Sequence, residues 1–272
     1  MAHLFQVGAG SGGMPVLDLI CRDERISRVT LVEPDVYKPH NVARHVFPAS
    51  AVGEFKAELA ERWLKDRRPQ LEVRTLTCDL LDPAQQSTLQ QLVAEADIGV
   101  CAADNEPAKF HFDALMRGAG KPWTLGEVLA GGIGGFVHWF VPGGPCYGCV
   151  ASFLQRSVVV AQERAPDYSQ PGGPVAETTV PASRASISAI ASLHALITLG
   201  LLDNPATYQP GFTSLLFTLE RVEKVFDEAF RPFRFRIPRS AECLICRAAA
   251  MSSSSEDLDV ALAQALARLG DA

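Results

Sequence analysis

The sequence predicts an α/β chain built on a Rossmann-like, mostly parallel sheet, followed by antiparallel strands and a four-cysteine metal site. Three observations carry this. Apolar strand-like runs alternate with helix-like stretches over the first hundred or so residues. A glycine pattern, Gly8, Gly10 and Gly13, directly follows the first apolar run. Two Cys-x-x-Cys pairs, Cys146/Cys149 and Cys243/Cys246, stand about ninety residues apart.

The opening, LFQVGAGSGGMPVLDLICR, reads as strand, glycine turn and helix. In G-x-G-x-x-G the first glycine permits a tight turn and the second lets the backbone approach a phosphate. The third lets helix and strand pack closely. The helix that follows aims its free N–H groups and positive dipole end at an anion. A second strand, VTLVEPD, delivers Glu33 about twenty residues past the last glycine, where a carboxylate meets a ribose hydroxyl. Asp35, Asn41, Arg44 and Lys56 come next. A dinucleotide site holds its pyrophosphate mainly with backbone amides and has little use for such a cluster. A triphosphate losing pyrophosphate does need cations where charge develops.

KAELAERWLKDRRP carries apolar residues at helical spacing until Pro69 stops it. LEVRTLTCDL alternates like a strand, QQSTLQQLVAEA reads as a helix, and DIGVCAADN reads as a strand buried on both faces. Asp104 falls at the carboxyl end of that strand, where such sheets bind ligands; a helix N-cap is its plainer reading. KPWTLGEVLAGGIGGFVHWFVPGGPCYGCV reads as strands joined by glycine turns that admit close backbone approach. Ser, Gly and Pro from Ala165 to Ala182 mark a long functional loop. The apolar run Ile187 to Leu202, interrupted by Ser188, Ser192, His194 and Thr198, reads as a core helix, with His194 a satisfied core histidine. FTSLLFTLERVEKVFDEAFRPFRFRIPRSAECLIC gives two late strands. Residues 251–272 read as a Ser-rich linker and a short helix with Leu258, Leu262, Leu266 and Leu269 in a stripe.

Seven cysteines in a chain whose Met1 leads almost directly into the first strand favour thiols and metal ligation over disulfides. Two Cys-x-x-Cys turns suit one structural zinc ion held by Cys146, Cys149, Cys243 and Cys246; Cys21, Cys78 and Cys101 read as buried, inert thiols. No signal peptide or membrane span is evident, which gives a cytoplasmic expectation. A net charge of −6 without a basic stripe argues against nucleic acid as the partner.

The string V-E-P-D-V-Y-K-P-H-N-V-A-R-H with G-E-F-K resembles the signature of the ubiquitin-activating-enzyme-like (ThiF/MoeB) adenylating superfamily. Glu33 stands where Asp is usual and His45 where Gln is usual. The resemblance implies an adenylation domain over about residues 1–250, with a nucleotide-binding half to about 140 and a tail-binding, crossover-loop and zinc half after it. It implies ATP-dependent adenylation of the C-terminal carboxylate of a ubiquitin-like protein. Gly8, Gly10, Gly13, Glu33, Asp35, Asn41, Arg44, Lys56 and Asp104 would hold nucleotide, with Asp104 on magnesium. A homodimer and a downstream conjugating or sulfur-transfer protein are also implied.

Two positions depart from the family pattern. The crossover loop lacks the usual cysteine, and Thr178 of E-T-T-V-P stands in its place. The chain would then stop at the acyl-adenylate, form an oxyester on Thr178, Thr179 or a nearby Ser with Asp167 or Glu177 as base, or borrow a partner's thiol. Family members carry, before the first strand, an arginine that reaches the partner subunit's ATP; here only Met1, Ala2 and His3 precede Leu4, so that arginine is Arg22, Arg25 or a partner's, or is absent. The rival readings are an NAD(P)-dependent oxidoreductase and a non-catalytic scaffold subunit.

Overall fold

A computed structural model describes residues 1–157 and 182–247. The strands are β1 (Ala2–Val7), β2 (Ile26–Val32), β3 (Glu72–Leu76), β4 (Ile98–Cys101), β5 (Trp123–Val128), β6 (Gly134–Phe140), β7 (Ser214–Thr218) and β8 (Pro232–Phe235). The helices are α1 (Gly13–Cys21), α2 (Lys56–Arg67), α3 (Gln86–Glu95), α4 (Glu106–Gly118), α5 (Tyr147–Ser157) and α6 (Arg184–Asp203). One eight-stranded sheet runs β3-β2-β1-β4-β5-β6-β7-β8. It is parallel from β3 to β5 and antiparallel from β5 to β8.

Alternate residues of each strand feed opposite layers. Leu4, Val29 and Leu31 pack with residues of α1, α2 and α6, whereas Phe5, Val7 and Val32 pack with residues of α3, α4 and α5. All four residues of β4 are buried, as a central parallel strand requires. Helix α6 is long and apolar enough to cross a membrane by length and composition. It lies instead against α1, β5 and β6. His194 Nε2 is 2.9 Å from Thr124 Oγ1, whose hydroxyl is 2.7 Å from that of Thr198, so these two polar interruptions are satisfied inside the core, whereas Ser192 is exposed and bonds the Ser188 carbonyl.

The structure differs from the expected elements in three places. The strand expected over LEVRTLTCDL is only Glu72–Leu76, because a turn region follows it. The strand run expected to reach residue 150 ends at Phe140, and Cys146 and Cys149 instead straddle the first turn of α5. Helix α4 was unassigned. Its start signals are nonetheless present: Asn105 caps the Ala108 N–H at 2.9 Å, and a proline follows within the first turn.

Candidate functional site

The strand order reverses between β1 and β4, and this opens a crevice at the carboxyl ends of those strands. The glycine loop enters it. Gly8 has φ +92°, and a Cβ there would lie 2.6 Å from the Ala102 carbonyl oxygen just beyond β4. A Cβ on Gly13 would overlap the Gly8 carbonyl and lie 2.9 Å from Ala102 Cβ. Both glycines are therefore dictated by packing. Gly10 is not: a Cβ there meets nothing within 4 Å.

Three side chains fix the loop. Gln6, fully buried in β1, donates Nε2–H to the carbonyls of Gly8 and Gly13, both at 2.9 Å. Glu33 Oε2 accepts the Ala9 N–H at 2.6 Å, and Oε1 accepts the Asp35 N–H at 2.9 Å. His45 Nε2 sits 2.9 Å from the Ala9 carbonyl, while Nδ1 faces the Phe47 N–H at 3.4 Å. That pairing requires the neutral Nε2–H tautomer. Burial lowers the His45 pKa to about 4, which keeps it in that form, and burial raises that of Glu33. The peptide of Ala9 is thus held at both ends. The N–H groups of Gly10, Ser11 and Gly12, by contrast, have no acceptor among the described residues and stand at the start of α1.

The segment after β2 folds back over this loop. Tyr37, buried, donates its hydroxyl to the Phe47 carbonyl at 2.8 Å and packs edge-on against His45 and Phe47. Asn41 is also buried; its Oδ1 accepts the Lys38 N–H at 3.0 Å and its carbonyl accepts the Arg44 N–H at 3.0 Å. Its visible work is shaping the turn that carries Arg44. The Arg44 residue is half-buried, and its guanidinium makes no ion pair or hydrogen bond among the described residues. Lys56, the first residue of α2, is buried and donates to Asp35 Oδ2 at 2.7 Å. Sequence-distant charges are in this way gathered beside Glu33.

Asp104 lies three residues past β4, exposed, with no hydrogen bond or ion pair among the described residues. Asn105 takes the N-cap duty, so the plainer reading of Asp104 does not hold and its carboxylate is free to take a hard cation. Next to it is a charged network that the sequence did not single out. Lys109 bonds Glu106 Oε1 at 2.7 Å and also Glu127 at the end of β5. Tyr147 donates to Glu106 Oε2 at 2.8 Å, and His138 Nε2 is 3.4 Å from Glu127 Oε2. Burial opposes it, but His138 and Lys109 hold the Glu127 pKa down at about 2. The network ties α4 to β5 and β6.

The four knuckle cysteines converge at the far end of β6. Sγ separations are 3.7 Å for Cys146–Cys149, 3.5 Å for Cys146–Cys243 and 3.7 Å for Cys149–Cys246, and all four atoms lie within 4.8 Å of one another. A tetrahedral ion with metal–sulfur bonds of about 2.3 Å sets its sulfurs about 3.8 Å apart, so this set fits one metal ion. Gly148 lies between the first pair, and a Cβ there would reach within 2.7 Å of Ile245, so the knuckles meet only because it is glycine. Ser240 N–H also points at Cys149 Sγ, 3.4 Å away. Cys21 and Cys101 are buried as expected, whereas Cys78 is only half-buried.

Neither arginine named as a stand-in reaches the crevice. Arg22 pairs with Asp18 at the end of α1, and Arg25 pairs with Asp23 and Asp203 before β2, at the opposite edge of the sheet. Thr178, Thr179, Asp167, Glu177 and the terminal leucine stripe lie outside the described residues. Gln6 and His45 are the loop's supports that residue type alone did not assign; the signal for Gln6 was a lone amide in an apolar strand.

Residues 1–234 match the ThiF family. A SAMP-activating enzyme E1 of Haloferax volcanii is 28% identical over 145 residues, covering 53% of this chain and 51% of that protein. An Arabidopsis thaliana protein described as adenylyltransferase and sulfurtransferase MOCS3 is 26% identical over 145 residues, 53% of this chain and 30% of its own length. The alignments thus span about half, or less, of those relatives. Among solved structures, E. coli MccB with ATP superimposes at TM-score 0.65 and 19% identity, covering 90% of this chain and 66% of that one, a likeness of fold. With the family matched across most of its length and the eight-stranded sheet, glycine loop and paired knuckles in place, the chain belongs to the ThiF family.

Proposed function

We propose that this chain adenylates the C-terminal carboxylate of a ubiquitin-like protein or peptide tail, using ATP and releasing pyrophosphate. The observation that carries the reading is the crevice itself. Free loop N–H groups, the Glu33 carboxylate and the Lys56–Asp35 pair lie together at the β1/β4 switch point, Asp104 follows the end of β4, and Arg44 adjoins His45, which bonds the loop. Glu33 keeps lone pairs for ribose hydroxyls while bonding the loop. The loop N–H groups and the α1 N-terminus receive phosphate oxygens. Asp104 would hold a magnesium ion, which would offset polyphosphate charge. The tail carboxylate, already ionised, attacks the α-phosphorus; the bond to the β-phosphate oxygen breaks, and pyrophosphate carries away the electron pair. Arg44 and Lys56 stabilise the charge that builds on it. No proton has to move, which suits a site without an acid–base dyad at the loop. Positioning and electrostatics supply the catalysis.

The relatives' printed functions, activation of SAMP and adenylyl transfer, support this reading, as does a neighbour solved with ATP. We further assign zinc to the four thiols, on ligand type and spacing. The acyl-adenylate would pass to a downstream conjugating or sulfur-transfer protein, or to Thr178 as an oxyester. We take the chain to act in the cytoplasm as a homodimer.

The test is ATP–pyrophosphate exchange with the ubiquitin-like protein encoded beside the gene, read with intact masses. Exchange abolished in Arg44→Ala and Asp104→Ala, both still folded, is the expected result. Exchange retained in both variants would refute the assignments, and no exchange by the unaltered chain would favour the scaffold reading. An adduct that survives thiol and disappears in Thr178→Ala would mark the oxyester.

A further inference from the structure

Helix α6 starts at the crevice. Its N-cap, Ser183, accepts the Ser186 N–H at 3.0 Å. One turn on, Ile187 Cγ2 lies 4.0 Å from where a Cβ on Gly12 would sit, so the first turn of α6 stands over the glycine loop. Ser186 and Ala182 close on Gly132 in the same way, 3.0 and 3.3 Å from its would-be Cβ, just past the carboxyl end of β5. From there the helix runs away from the site, past Gly126 and Thr124.

Arg184 is the first residue of this helix. It is exposed, and it forms no ion pair or hydrogen bond among the described residues. The first turn of α6 holds no acidic side chain. This combination runs against helix electrostatics, because the positive end of the dipole repels a cation and favours Asp or Glu. Among the described residues no acidic side chain pairs with it. A local rule broken without compensation, at the mouth of a binding crevice, marks a position kept for a ligand's sake.

The crevice has use for such a charge. Lys56 is already bonded to Asp35, which leaves Arg44 as the crevice cation without a partner among the described residues discussed above. A nucleoside triphosphate brings three to four negative charges, and Glu33, Asp35 and Asp104 add three more, against Arg44, Lys56 and the two charges of a magnesium ion. The charge of Arg184 already bears on the crevice wall: with burial as the larger cause, it helps to hold the His45 pKa down, and it opposes the burial that raises Tyr37.

We propose that Arg184 is a phosphate-binding residue, reaching from the first turn of α6 to the polyphosphate of the bound nucleotide. This inference rests on the adenylating reading, since it needs a nucleotide in the crevice. Arginine suits the task because its planar fork donates two hydrogen bonds to one phosphate. With Arg44 and Lys56, Arg184 would be the third cation that this chain brings to the site.

The experiment titrates the full chain, Arg184→Ala and Arg184→Lys with ATP–magnesium and, separately, with adenosine, and measures unfolding in the same samples. The inference expects ATP affinity to fall at least tenfold in Arg184→Ala and to recover in part in Arg184→Lys. Adenosine affinity and stability should stay unchanged, or stability should rise as the dipole conflict is relieved. ATP binding within twofold of the unaltered chain would overturn the inference and leave the adenylating reading standing. Equal losses for ATP and adenosine, or a lower stability, would also overturn it, by showing a structural role. If the unaltered chain binds no ATP, the adenylating reading itself fails, and the inference with it.

Discussion

Two glycines of the same loop should respond oppositely to alanine. At Gly13 the new methyl overlaps the Gly8 carbonyl and sits 2.9 Å from Ala102 Cβ. Neither neighbour is the flexible end of a side chain, so loop and strand must part by several tenths of an ångström. Overpacking of that kind costs about 1–3 kcal/mol. The shift also pulls on the Gln6 bonds to Gly8 and Gly13. At Gly10 the methyl enters open space, and the backbone there is outside the left-handed region. Fewer unfolded conformations then make Gly10→Ala neutral or up to about 1 kcal/mol stabilising. Its cost falls on the ligand, because the methyl occupies the approach of a phosphate. Losing one charge-assisted hydrogen bond costs about 1.5–3 kcal/mol, roughly tenfold to more than a hundredfold in ATP affinity. Urea unfolding and ATP titration on both variants decide the matter. A Gly10→Ala chain that binds ATP normally, or that loses more than about 1 kcal/mol of stability, would refute the division of labour between these glycines.

Acid should weaken the fold before Glu127 is protonated. Burial lowers His45 to about 4 and His194 to about 3, against an ordinary value near 6.5. Their neutral forms are native, so stability is complete above pH 6.5 and declines as pH falls toward 4, because the unfolded chain takes up the protons first. The limit for the pair is about 2.7 kcal/mol per pH unit. Glu33, raised by burial, acts with the opposite sign and returns a share as it protonates. Urea midpoints from pH 8 to 4.5 test this, and His194→Gln should flatten the slope by about half; a flat profile in the unaltered chain would exclude it. For the thiol cluster, metal analysis should find one zinc per chain. Cys243→Ser should lose it and melt roughly 5–15 °C lower. Full metal content in that variant would reject the four-thiol assignment.

What the sequence revealed was whatever rests on local spacing. Gly8 and Gly13 stand at the tight turn their spacing marks, Glu33 follows the second strand and bonds that turn, and the two Cys-x-x-Cys pairs come together. Helix α4 was overlooked because Lys109 and Asp113 are buried on its packed face, which blurs the apolar stripe. Their partners, Glu127 and the Tyr147 N–H, are distant in sequence. The burden on Asn41 and His45 was hidden for the same reason. Each bonds backbone, Asn41 accepting from the Lys38 N–H and His45 donating to the Ala9 carbonyl, and backbone partners leave no trace in residue identity. Arg184 is the reverse case: its residue type was plain, but its significance appears only when α6 is seen to begin above Gly12.

The knuckles also have a meaning in polymer terms. Cys146 and Cys243 are 97 residues apart, and a shared ion turns everything between them into a ring. Closing a ring of that size removes conformations from the unfolded chain worth about 4.7 kcal/mol in the chain-entropy picture, and the cost of lengthening it grows only logarithmically. The ring contains α6, β7, β8 and residues 158–181. Insertions or deletions within 158–181 would change the ring's entropy by only a few tenths of a kcal/mol. Changes in the length of the ring are therefore nearly neutral in closure entropy, while the sheet on either side stays tied to the same knot of sulfur.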